Sequence, residues 1–526
     1  MPPRKAAKAA KPTPPSGSGF EASPEALAVA SKAAGTLWWW DSANARWRTR
    51  DATVTPGTGT MTTLKDTQWT PWTTLLDTSE APYFRWFAGA NTNACFNAVD
   101  RHVLDGRGSE VAMTSLPEEA TAMDPTCSVT RRELLGAVSI VASKLTHEHG
   151  VKAFDRILFH CPTDLSHCVY MLACQRLGAA YSATAVDAAV DVLTARIEDL
   201  QPKLVVSAAK GATVHGGQSI DCAAKARTAI DAVKGSIEKP FAITLEPTWH
   251  ALHKKFNLDK WQTMSDAEAF HTANPAEPTT KSQKKKTKHP YTVSCYPCET
   301  DHPLFVSYTS GSTGKPKGVV HGHGGYVSGV LESMRCVFDT EHGSGDSILT
   351  VGSSGWITGQ SYMLMGPLLA GVRSVLMVGS PVYPTPLRMF ETIERESITI
   401  LKTGSATVRQ LMTDPVNAAK LDAIDTSSLK IATFCAEPVS VEVHEYAHAH
   451  VTPNFINSYW ATEHGSMVFS RDVTVDVKCN NPDTRTWPLP WVPVGISDET
   501  SDVVITGPYP SLALTVFGDA ERLGNS

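Results

Sequence analysis

The alternation of strand-like and helix-like segments restricts the fold of this chain more than any other feature of its sequence. From about residue 128, short apolar runs at 156–160 and 204–207 alternate with segments whose apolar residues recur at helical spacing. The helical segments include residues 131–150 and 165–177, and the second of these stops at Gly178. Such alternation predicts a mostly parallel sheet covered by helices on both faces.

The same alternation returns in the second half of the chain. Strands are predicted at 347–351, 373–378, 398–401, 429–434 and 454–456, and helices at 360–370, 387–396, 407–412 and 441–450. The sequence therefore predicts an α/β protein with two parallel-sheet α/β subdomains, at residues 128–300 and 301–526.

A glycine-rich stretch, Tyr308-Thr-Ser-Gly-Ser-Thr-Gly-Lys-Pro-Lys-Gly318, follows a short apolar run. Glycines let the backbone approach a ligand closely, and successive inward N–H groups form a nest that suits an anion. Hydroxyl groups and lysines add donors and charge for phosphate. The stretch is not the P-loop of nucleoside triphosphatases, because Pro316 follows Lys315 where that motif needs Ser or Thr. A flexible linker is the alternative interpretation.

Three polar stretches follow predicted strands of the second subdomain, at residues 355–358, 435–438 and 458–463. In open parallel sheets, ligands bind beyond the carboxyl ends of the strands. We therefore expect these stretches and the glycine-rich loop to line one cleft.

Charge and cysteine usage limit the class of protein. The net charge of −6 argues against a nucleic-acid partner, and no apolar stretch is long enough to predict a membrane span. The eleven cysteines lie in apolar surroundings, as expected of reduced, buried thiols in an intracellular protein. Cys295-Tyr-Pro-Cys298 is a single CxxC, for which a zinc or redox role is the less favoured interpretation.

The N-terminal part of the chain is less regular. Residues 1–19, rich in Ala, Pro and Lys, predict a disordered basic tail; an organelle transit segment is the alternative. Residues 20–125 predict a Trp-rich segment packed on the core. The Lys run of residues 281–288 predicts a solvated loop rather than a docking site for an acidic partner.

Four motifs, in this order, resemble those of the AMP-binding, adenylate-forming acyl-CoA synthetases, and the nearest branch is that of the short-chain acetyl-CoA and propionyl-CoA synthetases. The residues that carry the resemblance are Asn97-Ala-Val-Asp-Arg-His102, residues 308–318 with Val319-Val-His321, Gly355-Trp-Ile-Thr-Gly-Gln-Ser-Tyr362 with Gly366-Pro367, and Tyr459-Trp-Ala-Thr-Glu463. The similarity covers roughly residues 65–522 and is faint between about 208 and 300.

The resemblance implies that residues 20–125 correspond to the N-terminal region of that branch and residues 126–526 to an AMP-binding adenylation domain. It implies ATP-dependent activation of acetate or propionate to acyl-AMP and then acyl-CoA, with ATP/AMP, Mg²⁺ and coenzyme A as cofactors. The alternative is a non-catalytic or lid-less relative that binds ATP or acyl-adenylate as a scaffold or subunit. A cytoplasmic location is expected, or a mitochondrial or plastid one if residues 1–19 are a transit segment.

Site residues implied by the resemblance fall into three groups. Lys315, Thr462 and Glu463 would be catalytic, with Thr462 contacting the α-phosphate and Glu463 ligating Mg²⁺. The nucleotide would be bound by Thr309, Ser310, Gly311, Ser312, Thr313, Gly314, Lys315, Ala436, Glu437, Pro438, Ser458, Tyr459, Trp460, Ala461 and Thr462. The acyl pocket would be formed by Trp356, Ile357, Thr358, Cys435 and Trp460.

Trp460 gives the resemblance its expectation about substrate size. A flat indole ring in that pocket would shorten it, which favours acetate or propionate over longer acids and disfavours aryl acids or amino acids. Each additional methylene is otherwise worth only about 1–3 kcal/mol of discrimination.

Several positions depart from the family pattern. Ala436 stands where a Gly is usual, Cys435 replaces a Val, and Ala461 replaces a Gln. Residues 517–522 resemble a segment that precedes the family's ribose-binding Asp and C-terminal domain, so we expect the small C-terminal lid domain to be absent from this sequence. A truncated sequence is one explanation, and a separate C-terminal domain or an oligomer partner that completes the site is the alternative.

Overall fold

The computed structural model describes residues 22–57, 61–64, 70–119, 125–209, 213–234, 238–246, 248–275, 292–309, 316–340, 345–435, 437, 439–473 and 487–519. Its centre consists of two seven-stranded sheets that are mainly parallel, which confirms the predicted α/β fold class. Several long apolar runs at the centre of these sheets are fully buried, as expected of parallel strands covered on both faces.

The first sheet has five parallel strands followed by two antiparallel ones. Its strands, in spatial order, are Phe241–Thr244, Leu204–Ser207, Arg156–His160, Ala180–Thr184, Pro303–Thr309, Lys317–Gly322 and Thr515–Val516. The glycine-rich stretch joins the fifth and sixth of these strands.

The second sheet is parallel except for its last strand. Its strands, in spatial order, are Phe455–Ile456, Ile431–Cys435, Ile400–Gly404, Ser347–Thr350, Arg373–Met377, Val111–Leu116 and Cys127–Thr130. Both sheets therefore take strands from either side of residue 300. The predicted subdomain boundary at that residue does not coincide with the division between the sheets, because strand pairing joins segments that are distant in sequence.

Helices connect the strands and cover the sheets. The α-helices are Pro24–Thr36, Arg101–Leu104, Arg131–His149, Leu165–Leu177, Val190–Leu200, Cys222–Ala232, Trp249–Phe256, Asp259–Gln262, Asp266–Ala273, Gly325–Phe338, Gly366–Ala370, Arg388–Glu396, Ser405–Met412, Pro415–Leu421 and Val441–His450. Phe96–Asp100 and Gly359–Met365 are π-helical, and Thr462–His464 is a 3₁₀ turn. No helix in the described ranges is long and apolar enough to cross a membrane.

The helix Arg131–His149 illustrates how local sequence sets the ends of an element. The Glu133 carboxylate accepts a hydrogen bond from the Thr130 main-chain N–H at 2.8 Å, and the Thr130 hydroxyl accepts one from the Glu133 N–H at 3.3 Å. At the other end Gly150 has φ +62°, a left-handed conformation that glycine adopts without steric cost. The predicted helix at 131–150 is thereby confirmed.

Smaller elements complete the N-terminal part. The strands Trp39–Asp41, Arg46–Arg48, Ala52–Val54 and Met61–Thr63 form an antiparallel sheet, and Thr74–Glu80 pairs with Tyr83–Ala88. Two-stranded pairs are formed by Asn91–Thr92 with Cys298–Glu299, Val214–His215 with Gln218–Ser219, Phe469–Ser470 with Trp487–Pro488, and Val494–Ile496 with Val503–Ile505. The Trp39 ring packs against Phe87 with centroids 5.1 Å apart, so this Trp serves packing.

Two predicted elements differ in the structure. The strand predicted at 398–401 is Ile400–Gly404, which continues through Lys402 because its main chain pairs with Ile431–Cys435 over five residues. The helix predicted at 360–370 is a π-helical turn followed by the α-helix Gly366–Ala370. Such turns widen a helix by one residue per turn and are frequent at functional sites.

Candidate active site

The residues on either side of the glycine-rich loop are paired in two antiparallel strands of the first sheet. Thr309 and Lys317 are paired across these two strands, and Tyr308 pairs with Gly318. The predicted phosphate donors Ser310, Gly311, Ser312, Thr313 and Gly314, together with Lys315, lie outside the described residues. The hairpin therefore fixes where this loop begins and ends, and the roles of its residues stay predictions.

Lys317 and Glu463 join the base of this hairpin to the loop of residues 458–463. The Lys317 Nζ lies 2.9 Å from the Glu463 Oε1, and Lys317 is nearly buried. Burial by itself would raise the pKa of Glu463, but the hydrogen bond and the charge of Lys317 bring it below its ordinary value. The proposed metal ligand is therefore ionised and lies against the proposed phosphate-binding element.

Main-chain contacts fix this loop in place. Burial lowers the pKa of His321 to about 4, so its ring is neutral, and Nε2 donates a hydrogen bond to the Thr462 carbonyl at 2.8 Å. The Glu463 carbonyl accepts from the Ala513 N–H at 2.8 Å. Thr462 and Glu463 are thus held from both sides, as a site that must present fixed groups requires.

Three of the five residues predicted to form the acyl pocket are buried, and a fourth, Trp460, is half-buried. Ile357, Thr358 and Cys435 are buried, and the Thr358 side chain forms a hydrogen bond with Cys435. The Trp460 ring meets the Tyr362 ring edge to face, with centroids 5.2 Å apart. Tyr362 is itself fixed by hydrogen bonds that its hydroxyl makes with the Ser333 hydroxyl and with a main-chain N–H, both at 2.9 Å.

Trp356 differs from the other predicted acyl-pocket residues in its exposure. Its side chain is 65% exposed, whereas Ile357, Thr358 and Cys435 are buried. It lines a cavity of about 280 Å³ formed mainly by the loops that follow strands of both sheets, including Thr163, Asp187 and Gly352. The place of Trp356 in the acyl pocket stays a prediction.

The predicted adenosine pocket is described only in part, because Ala436 and Pro438 lie outside the described residues. The Glu437 carboxylate accepts a hydrogen bond from the Ala406 N–H, and its Oε2 lies 3.9 Å from the Arg409 Nη1. Tyr459 is 51% exposed, and its main chain forms a bridge with Phe469. An exposed ring on a fixed backbone is available to stack on a base.

Ser458 and Ala461 make contacts within the protein that hold the loop of residues 458–463. The Ser458 hydroxyl is buried and donates to the Phe434 carbonyl, which joins the loop to the strand Ile431–Cys435. The Ala461 N–H donates to His464 Nδ1 at 2.9 Å. The roles of both residues in nucleotide binding stay predictions.

The sequence that forms this site matches the patterns of two known protein families. The pattern of the AMP-binding enzyme family matches residues 110–508, which is most of the chain, and that of the acetyl-coenzyme A synthetase N-terminus matches residues 64–98. The chain belongs to the AMP-binding enzyme family. Both matches support its resemblance to the acetyl-coenzyme A synthetase branch of that family.

Individual relatives agree with the family. The acetyl-coenzyme A synthetase of Methylobacillus flagellatus is 31% identical over 470 residues, which cover 86% of this chain and 66% of the relative. Those of Thiobacillus denitrificans and Pyrobaculum aerophilum are 32% and 30% identical, covering 86% and 87% of this chain and 66% and 67% of the relatives. The chain thus spans about two thirds of the length of the curated relatives that it matches.

One buried side chain that the sequence did not predict lies beside residues of the predicted acyl pocket. Lys402 is fully buried, and its Nζ lies 4.7 Å from the centre of the Tyr362 ring and 5.6 Å from that of Trp460. The available signal was a lysine directly after the predicted strand at 398–401 and followed by Thr-Gly. It is a weak signal, because lysine is rarely buried without a partner.

The surroundings of Lys402 are neutral. Its Nζ lies 3.3 Å from the Thr433 hydroxyl, 3.4 Å from the Ser458 hydroxyl and 3.4 Å from the Met467 sulfur. Burial lowers the pKa of Lys402 to about 8, so most of the amine is protonated at neutral pH. Burial likewise raises the pKa of the adjacent Cys435 thiol, which leaves it uncharged.

The two cysteines of the CxxC motif belong to different side-chain groups. Cys295 Sγ accepts from Arg176 at 3.1 Å, whereas Cys298 lies beside His302 and His323. The last three residues have ligand atoms within 4.8 Å of one another, but a ring nitrogen of each His is hydrogen-bonded to main chain. All cysteines in the described ranges are free thiols, as predicted.

Proposed function

We propose that this chain activates a short-chain carboxylate such as acetate or propionate with ATP. The carboxylate oxygen attacks the α-phosphorus, the bond to the bridging oxygen breaks, and pyrophosphate leaves with acyl-AMP as the product. The thiol of coenzyme A then attacks the acyl carbonyl, and AMP leaves. The named activity of the relatives, acetyl-coenzyme A synthesis, supports this reaction class.

The contact between Lys317 and Glu463 is the observation that carries the proposal. It brings the end of a glycine-rich hairpin, suited to phosphates, against a fixed carboxylate, suited to a hard cation. A carboxylate has two oxygens, so the bond from Lys317 to Oε1 leaves Glu463 with capacity to accept further.

Each proposed residue has a limited task. Glu463 fits Mg²⁺, which when bound would offset the negative charge of the phosphate oxygens. Lys317 holds the Glu463 carboxylate ionised and in place. His321 holds the Thr462 carbonyl, so the Thr462 side chain is presented from a fixed backbone towards the proposed α-phosphate. The glycine-rich loop would supply further donors to the β- and γ-phosphates.

Trp460 supports a short acid. Its ring is held edge to face against Tyr362. In the proposed acyl pocket, this held ring would form a rigid wall. A fixed ring excludes long acyl chains by steric overlap, which discriminates more strongly than the gain or loss of a single methylene contact.

The test is ATP binding and carboxylate-dependent exchange of labelled pyrophosphate into ATP, measured on the full chain with Mg²⁺. We expect ATP to bind, and we expect exchange to require the acid. Glu463→Gln should weaken binding of Mg²⁺ with ATP by roughly tenfold or more, because a bond to a charged partner is lost.

Glu445→Gln is the matched control, because Glu445 is exposed on the helix Val441–His450. It should bind Mg²⁺ and ATP as the wild-type chain does. A wild-type chain that neither binds ATP nor exchanges pyrophosphate with any short acid would refute the proposed function.

A further inference from the structure

We propose that Lys402 is a specificity-determining residue whose ammonium group binds an acceptor oxygen at the far end of the acyl group, so that the preferred substrate is a short acid bearing a second oxygen function. The proposal rests on the proposed function, because it names the substrate of the same site. It is motivated by a buried cation beside the predicted walls of the acyl pocket.

The position of Lys402 is fixed by strand pairing. Lys402 is paired with Thr433, two residues before Cys435, in the neighbouring parallel strand. Its side chain extends to the place where the Tyr362 and Trp460 rings meet, with Nζ within 6 Å of both ring centres. The ammonium group therefore lies next to two predicted acyl-pocket residues, Cys435 and Trp460.

No carboxylate of the described residues forms an ion pair with Lys402. A buried lysine normally has an acidic partner, because an isolated charge in an apolar interior is costly. The aromatic faces of Tyr362 and Trp460 attract the ammonium group and offset part of this cost. They do not, however, provide an oxygen atom that accepts a hydrogen bond from it.

The hydrogen bonds that Lys402 does make are long. The distances of 3.3 Å to Thr433 and 3.4 Å to Ser458 exceed the usual 2.7–3.2 Å range for a nitrogen donor, and the third contact is with a thioether sulfur, a weak acceptor. An ammonium group has three N–H donors. A close oxygen from a ligand would satisfy it better than any of these three partners.

The chemistry that fits is therefore a short acyl group ending in a hydroxyl or a carboxylate. Both ends supply an oxygen acceptor, and a carboxylate also supplies the missing negative charge. A methyl end would instead leave the ammonium group against an apolar surface. The length limit proposed for Trp460 applies equally to acyl groups that end in a methyl, a hydroxyl or a carboxylate. Differences in binding affinity among acyl groups of equal length therefore report the contribution of Lys402.

The experiment uses three stable analogues of the acyl-adenylate, in which a sulfamoyl group replaces the phosphate of adenosine monophosphate. Their acyl groups each have three carbons and end in a methyl, a hydroxyl or a carboxylate. Dissociation constants are measured by titration calorimetry with the full chain. The better of the two oxygen-bearing probes should bind roughly tenfold to a hundredfold more tightly than the methyl probe, and whichever binds more tightly distinguishes a hydroxy acid from a dicarboxylic acid.

Lys402→Met keeps the length of the side chain and removes the donors. In this variant the better oxygen-bearing probe should bind less than about twofold more tightly than the methyl probe, because the charged donor that separates their dissociation constants is gone. Lys420→Met is the matched control, because Lys420 is exposed near the end of the helix Pro415–Leu421, and it should keep the full advantage.

The outcomes separate this proposal from the proposed function. Tightest binding of the methyl probe by the wild-type chain, or an unchanged preference in Lys402→Met, would overturn the role of Lys402 while leaving adenylate binding in place. The first comparison uses only the wild-type chain, so it does not depend on the folding of a variant. Failure of all three probes to bind would overturn the proposed function and this inference together.

Discussion

Replacing Lys402 by methionine should stabilise the protein near neutral pH. Burial lowers the pKa of Lys402 from 10.5 to about 8. Because one pKa unit corresponds to about 1.4 kcal/mol, keeping this amine charged in the folded state costs about 3 kcal/mol relative to the unfolded chain. The methionine variant avoids this cost but loses the long hydrogen bonds to Thr433 and Ser458, which lowers its gain in stability by about 1 kcal/mol. We expect a net gain of about 1–2 kcal/mol in the free energy of unfolding.

The same reasoning predicts a pH dependence with a definite sign. Below about pH 8 the lysine is protonated in both the folded and the unfolded chain, so the cost is constant. Between about pH 8 and 10.5 the unfolded chain binds more protons than the folded one, and stability therefore rises with pH. From pH 7 to pH 10, Lys402 should add about 2 kcal/mol to the stability of the wild-type chain, a gain that the methionine variant lacks.

Urea unfolding at pH 7 and pH 10 measures both effects. Other ionisable groups also contribute to the pH dependence of stability, but both proteins contain them. Their contributions therefore cancel, to a first approximation, in the difference in unfolding free energy between the wild type and the variant. The exposed Lys420→Met serves again as a control and should match the wild type at both pH values. A methionine variant that is clearly less stable at pH 7, or a stability difference that does not change between the two pH values, would refute this account of Lys402.

Substitutions at three further positions test interactions that stabilise the fold, each measured as a change in the free energy of urea unfolding. Asp100→Asn leaves the fully buried Arg176, 2.8 Å away, without its countercharge, and should cost about 3–5 kcal/mol; a loss below 1 kcal/mol would contradict this. Thr130→Ala removes an N-cap and should cost about 1 kcal/mol, whereas Thr130→Ser should be nearly neutral. Gly150→Ala should cost about 1–2 kcal/mol through its φ of +62° alone, since an added Cβ would meet only the Lys203 Nζ at 3.7 Å; an unchanged stability would show that this strain is relieved.

The central strands and helices were predictable because burial imposes a simple pattern. The strand predicted at 156–160 and the helix predicted at 165–177 have the predicted bounds, since a parallel strand covered on both faces is apolar throughout and a left-handed Gly178 ends the helix. By contrast, the helix Pro24–Thr36 was not predicted. Its buried face consists of alanines, which give little contrast between its two sides.

The candidate site was predictable in its motifs but not in its geometry. Residue spacing gives no indication that Lys317 would pair with Glu463, because the pair joins two elements more than a hundred residues apart. Spacing also cannot distinguish Trp356, which is exposed, from its neighbour Ile357, which is buried. The predicted strand ended at Leu401, and nothing in the spacing of the neighbouring residues marks the next residue, Lys402, as buried.

Trp460 and Lys402 together make the proposed site more selective than either would be alone. A rigid ring can exclude long acids, but among acids of equal length it distinguishes a methyl from a hydroxyl end only weakly. A buried donor discriminates in the opposite sense, because an acid without the acceptor oxygen places an apolar end against the ammonium group and leaves it with only its long hydrogen bonds. In the proposed site, the ring beside Tyr362 would set the length of the acyl group, while the amine 5.6 Å from its centre would set the chemistry of the far end. Enlarging the pocket by Trp460→Ala should therefore admit longer acids while keeping the preference for those that carry a second oxygen.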